Sequence, residues 1–194
     1  MRLLMVAAPG AGKGTQAARL SSYYGVAHIS SGELFRKEVA DGSVIGKIAA
    51  AYLKRGDLVP DDLVMQMLAG PVLRAAQDGG YVLDGFPRTL RQAEEAYAWA
   101  KQVEGVELQA VVHLVVSRKE LLGRLSARAQ EEGRSDDTIE TIEHRLDVYD
   151  SETEPLIDYY AGRGLVVDIN GEQPVHQVFE DIVNSIESVR AGRR

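Results

Sequence analysis

Short unbroken apolar runs alternate along the chain with longer stretches in which apolar positions recur every three or four residues. The unbroken runs fall at residues 2–6, 27–29, 81–83, 110–116 and 165–169, and each suits a strand covered on both faces. Between them the spacing predicts helices over 13–24, 31–41, 43–54, 61–77, 89–102, 117–128, 138–161 and 174–189. Local signals agree: Asp61 opens a helix after Pro60, Ser117 and Glu120 have the spacing of a capping box, and Gly162 and Gly164 stop the long helix. Buried strands separated by helices imply an α/β fold, a five-stranded parallel sheet with helices on both faces.

The first run breaks into small residues, Ala7-Ala-Pro-Gly10-Ala-Gly12-Lys13-Gly14-Thr15. Glycines at 10, 12 and 14 allow a tight loop whose N–H groups converge on an anion, and the helix that follows adds the partial positive charge of its N-terminus. Lys13 adds a full charge. The pattern departs from G-x-x-x-x-G-K-[ST] at both ends, with Ala7 for the first glycine and Gly14 where a hydroxyl residue is usual. A glycine-rich turn that only packs a strand against a helix would look similar. Ala7 follows the buried run directly, so it is expected to keep negative φ, where alanine costs nothing.

A second run, Tyr81-Val-Leu-Asp84, ends in an acid followed by Gly85-Phe-Pro-Arg88-Thr89. A carboxylate at the end of a parallel strand sits where open α/β sheets bind ligands, and it suits the water shell of a phosphate-bound magnesium ion. The blander role is a turn aspartate capping the helix at Thr89. Farther on, Arg124, Arg128, Arg134 and Arg145 cluster, with Arg124 and Arg128 one helical turn apart. Like charges at that spacing call for a compensating anion, which Glu120, Glu131, Asp136 and Asp137 could supply equally well.

Composition narrows the classes. The 194 residues, 45% hydrophobic, suffice for one core domain. Cysteine is absent, which excludes disulfides and thiolate metal sites. A net charge of −7 argues against nucleic acid and anionic membrane as partners. No apolar run reaches about 18 residues and no leader layout precedes residue 3, so a cytoplasmic protein is expected. His28, His113, His144 and His176 show no ligand or base spacing and read as structural or surface residues.

Taken together, Gly10-Ala-Gly-Lys-Gly-Thr15, Ser30-Ser-Gly-Glu-Leu-Phe-Arg36, Gly56-Asp-Leu-Val-Pro-Asp61, Asp84-Gly-Phe-Pro-Arg-Thr89 with Gln92, Gly133-Arg-Ser-Asp-Asp137 and the Tyr149–Tyr160 stretch closely resemble the adenylate kinase family over nearly the whole chain. The resemblance implies the phosphate-loop nucleoside monophosphate kinase fold. Within one domain it implies a core of 1–30, 60–126 and 138–194, an AMP-binding excursion over 31–59 and a short lid over 127–137. It also implies a magnesium-dependent transfer, ATP + AMP giving two ADP, by a monomer without structural zinc.

The resemblance implies roles as well. Gly10, Ala11, Gly12, Lys13, Gly14 and Thr15 would hold the ATP phosphates, Arg128 would also bind ATP, and Arg124, Gly171 and Gln173 would border its adenine. Asp84 would support magnesium through water. Ser31, Arg36, Asp57, Leu58, Val59, Gly85, Phe86, Pro87, Arg88, Gln92, Arg134 and Arg145 would bind AMP. Lys13, Arg88, Arg128, Arg134 and Arg145 would serve the transfer itself. Gln92 offers a donor and an acceptor to adenine's N1 and 6-amino edge; the related uridylate and cytidylate kinases typically carry asparagine there and alanine at the Ser31 position. A regulatory nucleotide switch, the reading from another class, would call for N-K-x-D and D-x-x-G, and both are absent.

Overall fold

A strand without a polar face has to be flanked on both sides, and β1 (Arg2–Ala7) takes the middle of the sheet. All pairings are parallel, in the order β2-β3-β1-β4-β5, with β2 at Ala27–Ser30, β3 at Tyr81–Asp84, β4 at Ala110–Val115 and β5 at Val166–Asn170. This is the expected sheet. The structure, a computed structural model, describes residues 1–132 and 138–192.

Alternation along β1 divides the core into two layers. Leu3, Met5 and Ala7 pack with Leu20, Val112, Leu114, Leu125 and Ile182; Leu4 and Val6 pack on the opposite face with Leu68, Leu83, Phe86, Val111 and Leu156. Each large side chain so buried contributes about 1.5–3 kcal/mol. The layers are covered by α1 (Lys13–Tyr24), α4 (Asp61–Gln77), α5 (Leu90–Ala100), α6 (Arg118–Glu132), α7 (Ile139–Val148), α8 (Pro155–Ala161) and α9 (Val175–Gly192), while α2 (Ser31–Ala40) and α3 (Val44–Arg55) pack against each other.

The expected single helix over 138–161 is instead broken in two. A π-helical turn, Tyr149–Thr153, separates α7 from α8. Pro155 has no N–H to give to a carbonyl four residues back and its ring crowds that carbonyl, and the chain answers with a wider turn in which Glu154 N–H bonds Tyr149 O at 2.9 Å. The turn buries Tyr149 and Thr153, 9% and 8% exposed. Two other ends differ: α6 continues to Glu132, taking in 127–132 of the expected lid, and α9 reaches Gly192. The expected capping box forms only by half. Ser117 Oγ accepts from Glu120 N–H, but the Ser117 N–H goes to Glu172 at 2.6 Å.

Ala7 lies opposite Leu114, 5% exposed, and no non-glycine residue among those described has positive φ. Alanine is therefore at ease at the first position of the loop. Ala7→Gly is expected to lower unfolding free energy by about 0.4–1 kcal/mol, through greater freedom of the unfolded chain, and to leave ATP affinity within about twofold. Denaturant unfolding with nucleotide titration checks both; a glycine variant that is more stable and binds ATP more tightly would contradict the reading.

Candidate active site

β1 runs into α1 through Ala8–Gly12, at the strand-end face where open parallel sheets form their crevice. Gly10 and Gly12 take φ of +86° and +88°, a region that side chains disfavour. Space reinforces this at Gly10, where a Cβ would fall 2.7 Å from Leu125 Cγ. Helix α1 has no side-chain N-cap, which leaves its first N–H groups for an anion. Gly14 differs from expectation: it is an ordinary helical residue without positive φ. Its Cα faces Asp84, to which a Cβ would come within 3.7 Å.

Lys13 Nζ lies 3.2 Å from Asp84 Oδ1, and His28 Nε2 lies 3.8 Å from Oδ2. Burial opposes the charge on Asp84, but Lys13, His28 and Arg88 together outweigh it and hold the carboxyl well below the usual carboxylate range. Asp84 is therefore an ionised, nearly buried carboxylate at the mouth of the loop. It does not cap α5; Thr89 does, accepting from Gln92 N–H at 3.1 Å.

Beyond Asp84 the chain turns at Gly85, φ +80°, and the Gly85 carbonyl accepts two bonds, from Ser31 Oγ at 2.7 Å and Arg88 Nε at 2.8 Å. Arg88 is held again at its own carbonyl, which accepts from Thr153 Oγ1 at 2.8 Å. Burial lowers the pKa of the Arg88 guanidinium, Asp84 works the other way, and Arg145 and Arg36 lower it further. The guanidinium stays charged regardless. Lys13, Pro87, Arg88 and Arg145 line a cavity of about 70 Å³, with Leu58, Tyr149 and Thr153 completing its wall.

A second cavity of about 30 Å³ adjoins Gly85 and Arg88 and is lined by Ser31, Asp57, Leu58, Val59 and Gln92. Phe86, 4% exposed, belongs to the core, and Arg36 lies exposed on α2. Gln92 is 2% exposed. Its Oε1 accepts from Arg88 N–H at 2.7 Å and its Nε2 donates to Asp61 Oδ1 at 2.6 Å. One donor and one acceptor neighbour fix which end of the amide is which, and leave one N–H and one lone pair unspent.

On the other side of the loop, Arg124 Nη2 donates to Gly171 O at 3.0 Å. Gly171 is pressed against the end of β4, where a Cβ would fall 2.5 Å from Cγ2 of Val116, the residue after the strand, and 3.3 Å from Val115 O. Gln173 donates to Asn170 O and Asp181. The anion beside Arg124 is Glu120, 2.8 Å from Nε and one of the acids the sequence offered. Arg128 lies half-buried one turn farther along α6. Arg134 lies outside the described residues.

Several of these contacts had no signal in the pattern. Asp61, Thr153 and the histidine partners are examples: His28 approaches Asp84, His144 meets Asp57 at 2.8 Å, and His113 meets Asp168 at 2.8 Å across β4 and β5. Pro155 was the available clue to the turn that delivers Thr153.

A parallel sheet with a glycine loop at the end of its central strand, an ionised carboxylate on the next strand and arginines converging beside both defines a phosphate-loop phosphotransferase. The family model for adenylate kinase matches residues 5–165. The chain is 43% identical over 186 residues to the adenylate kinase of Kocuria rhizophila, covering 96% of this chain and 98% of that one. It is 42% identical over 188 residues to that of Thermobifida fusca, at 97% and 99% coverage, and 39% identical over 189 residues to that of Bacteroides fragilis, at 97% and 100%. The chain belongs to the adenylate kinase family.

Proposed function

We propose that this cleft moves a phosphoryl group reversibly between ATP and AMP, giving two ADP, and that the arginines do most of the work. The observation that carries the reading is the meeting of Lys13, Arg88 and Arg145 around one cavity beside the phosphate loop. Such a transfer needs positioning and charge stabilisation rather than a covalent intermediate.

In this reading Lys13 and the backbone of Gly10, Ala11, Gly12, Gly14 and Thr15 hold the ATP phosphates. Arg124, Gly171 and Gln173 border its base, and Arg128 with Arg134 faces the transferring group. Arg36, Arg88 and Arg145 hold the AMP phosphate. Ser31, Asp57, Leu58, Val59, Gly85 and Gln92 form the AMP base pocket, and Phe86 and Pro87 belong to the AMP site beside it. The excursion at 31–59 and the lid at 127–137 close on the core at 1–30, 60–126 and 138–194, drawn together when phosphates cancel the repulsion among their arginines and excluding water as they close.

Asp84 fits magnesium, which keeps several waters and takes one or two carboxylates plus phosphates. Among the described residues no group of three or more His, Asp or Glu could hold an ion alone, so the phosphates have to complete the shell. Held at Asp84 beside the phosphate loop, magnesium would supply charge neutralisation to the phosphates during transfer. The chain acts as a cytoplasmic monomer in this reading, and among the described residues no helix is long and apolar enough to cross a membrane.

A coupled assay of ATP against AMP, UMP, CMP and GMP, with and without magnesium, tests the whole reading. Turnover should require AMP and the metal. Comparable kcat/KM with UMP or CMP would favour a pyrimidine kinase, and ATP hydrolysis independent of any monophosphate would favour a switch.

The base pocket yields a sharper expectation. Asp61→Ala removes a charge-assisted anchor of the Gln92 amide, so the amide no longer holds its edge ready for adenine. The KM for AMP is expected to rise by up to about tenfold, equivalent to ~1.4 kcal/mol, while the KM for ATP stays put. Equal changes in both constants would show that Asp61 acts only through the fold.

A further inference from the structure

We propose that a third cavity, walled by α4, α5, β3 and residues 101–108, binds a compact amphipathic carboxylate of the medium-chain fatty acid class. It measures about 250 Å³, and of its lining residues only Phe86 and Pro87, which separate it from the AMP side, enter the nucleotide reading. Met65, Leu68 and Val72 form one wall, and Leu83, Trp99 and Leu108 form others. An engineered apolar cavity of about 150 Å³ takes benzene; by proportion this one takes on the order of ten carbon atoms.

The mouth determines the head group. Lys101 and Arg163 both line the cavity, and both sit over the ring of Tyr97, at 4.7 and 5.0 Å from its centroid. Among the described residues neither has a carboxylate within 4.0 Å. Arg163 also lies 3.6 Å from the Tyr159 centroid and donates to Tyr159 O at 2.6 Å, and two cations held by aromatic rings and a carbonyl instead of an acid are a prepared seat for an anion. Inside, Tyr160 is 3% exposed, and its hydroxyl has no hydrogen-bond partner among the described residues, so a polar handle is available as well. Glu107 is the acid at the rim and offsets one of the two charges. The net positive mouth over an apolar interior selects against neutral alkanes, which cannot use it, and against polyanions, which cannot enter.

Trp99 is the chain's single tryptophan and lines the cavity, so its emission reports occupancy directly. Octanoate titrated into the full chain should change Trp99 fluorescence saturably, with Kd below about 1 mM. Octan-1-ol should bind more weakly. Lys101→Ala with Arg163→Ala should weaken octanoate about fivefold and leave octan-1-ol unchanged, as expected for charges at a solvated rim. Ala69→Phe, which fills the cavity, should abolish the response to both while AMP kinase turnover is retained. Absence of a saturable change up to about ten times the expected Kd would overturn the site. So would an undiminished response in Ala69→Phe. Equal affinity for octanoate and octan-1-ol, or indifference of octanoate to the double charge removal, would overturn the carboxylate assignment; that measurement stands even if the filled variant does not fold.

Discussion

Arg88→Ala folds normally and loses roughly 3–5 kcal/mol of transition-state stabilisation, on the order of a hundred- to several-thousand-fold in kcat/KM. The side chain is half-buried, with Nε committed to the Gly85 carbonyl, and this leaves the Nη groups as a fixed fork towards the cavity shared with Lys13 and Arg145. A lysine has neither the fork nor the geometry to keep the Gly85 bond, so Arg88→Lys is expected to recover little. Steady-state kinetics beside a thermal melt decide the matter. An alanine variant that keeps more than about a tenth of wild-type turnover, a loss of only ~1.4 kcal/mol, would take the reacting phosphoryl group away from Arg88.

Gly85→Ala is the second large effect, and it strikes structure and activity together. At φ +80° a Cβ costs about 1–2 kcal/mol of backbone strain. It would also fall 2.6 Å from Ser31 Oγ and 3.0 Å from Arg88 Nη2, so the two groups that share the Gly85 carbonyl would both be displaced. A melting temperature lower by about 2–8 °C is expected, with a KM for AMP raised well beyond what the strain explains. Adding Ser31→Ala should restore part of the loss by making room, a non-additivity that pure backbone strain would not produce. Strict additivity in the double-mutant cycle would mean that the close contact with Ser31 contributes nothing.

The sheet and the phosphate loop were legible because they are local. Leu3 to Val6 are apolar without interruption, and Gly10 and Gly12 do what the motif needs within a few residues of Lys13. Asp84 and Arg88 could be placed because strand ends in a parallel sheet share one face. The arrangement that fixes Gln92 was hidden. Asp61 stands 31 residues from it and Thr153 stands 65 from Arg88, and nothing periodic links such pairs. Gly14 was overread, since three glycines in a row of alternating positions suggest one role where the backbone uses only two. The long helix was misread for a physical reason: apolar spacing at 138–161 continues through the break, and Pro155 at the start of a helix looks the same as Pro155 after a bulge.

The π turn also constrains the length of the chain in a way that substitutions would not reveal. It accommodates one residue more than an α turn would. Removing one residue between Tyr149 and Thr153 would close it to an α turn with the downstream face unchanged, whereas adding one would rotate everything downstream by about 100° around the helix axis. Leu156 and Tyr160, 0% and 3% exposed, would leave the core, and Thr153 would lose the Arg88 carbonyl. Ser151 and Glu152 are exposed, so their side chains are free to vary. In this segment the number of residues is under tighter physical control than their identity, and single-residue insertions are the changes it cannot absorb.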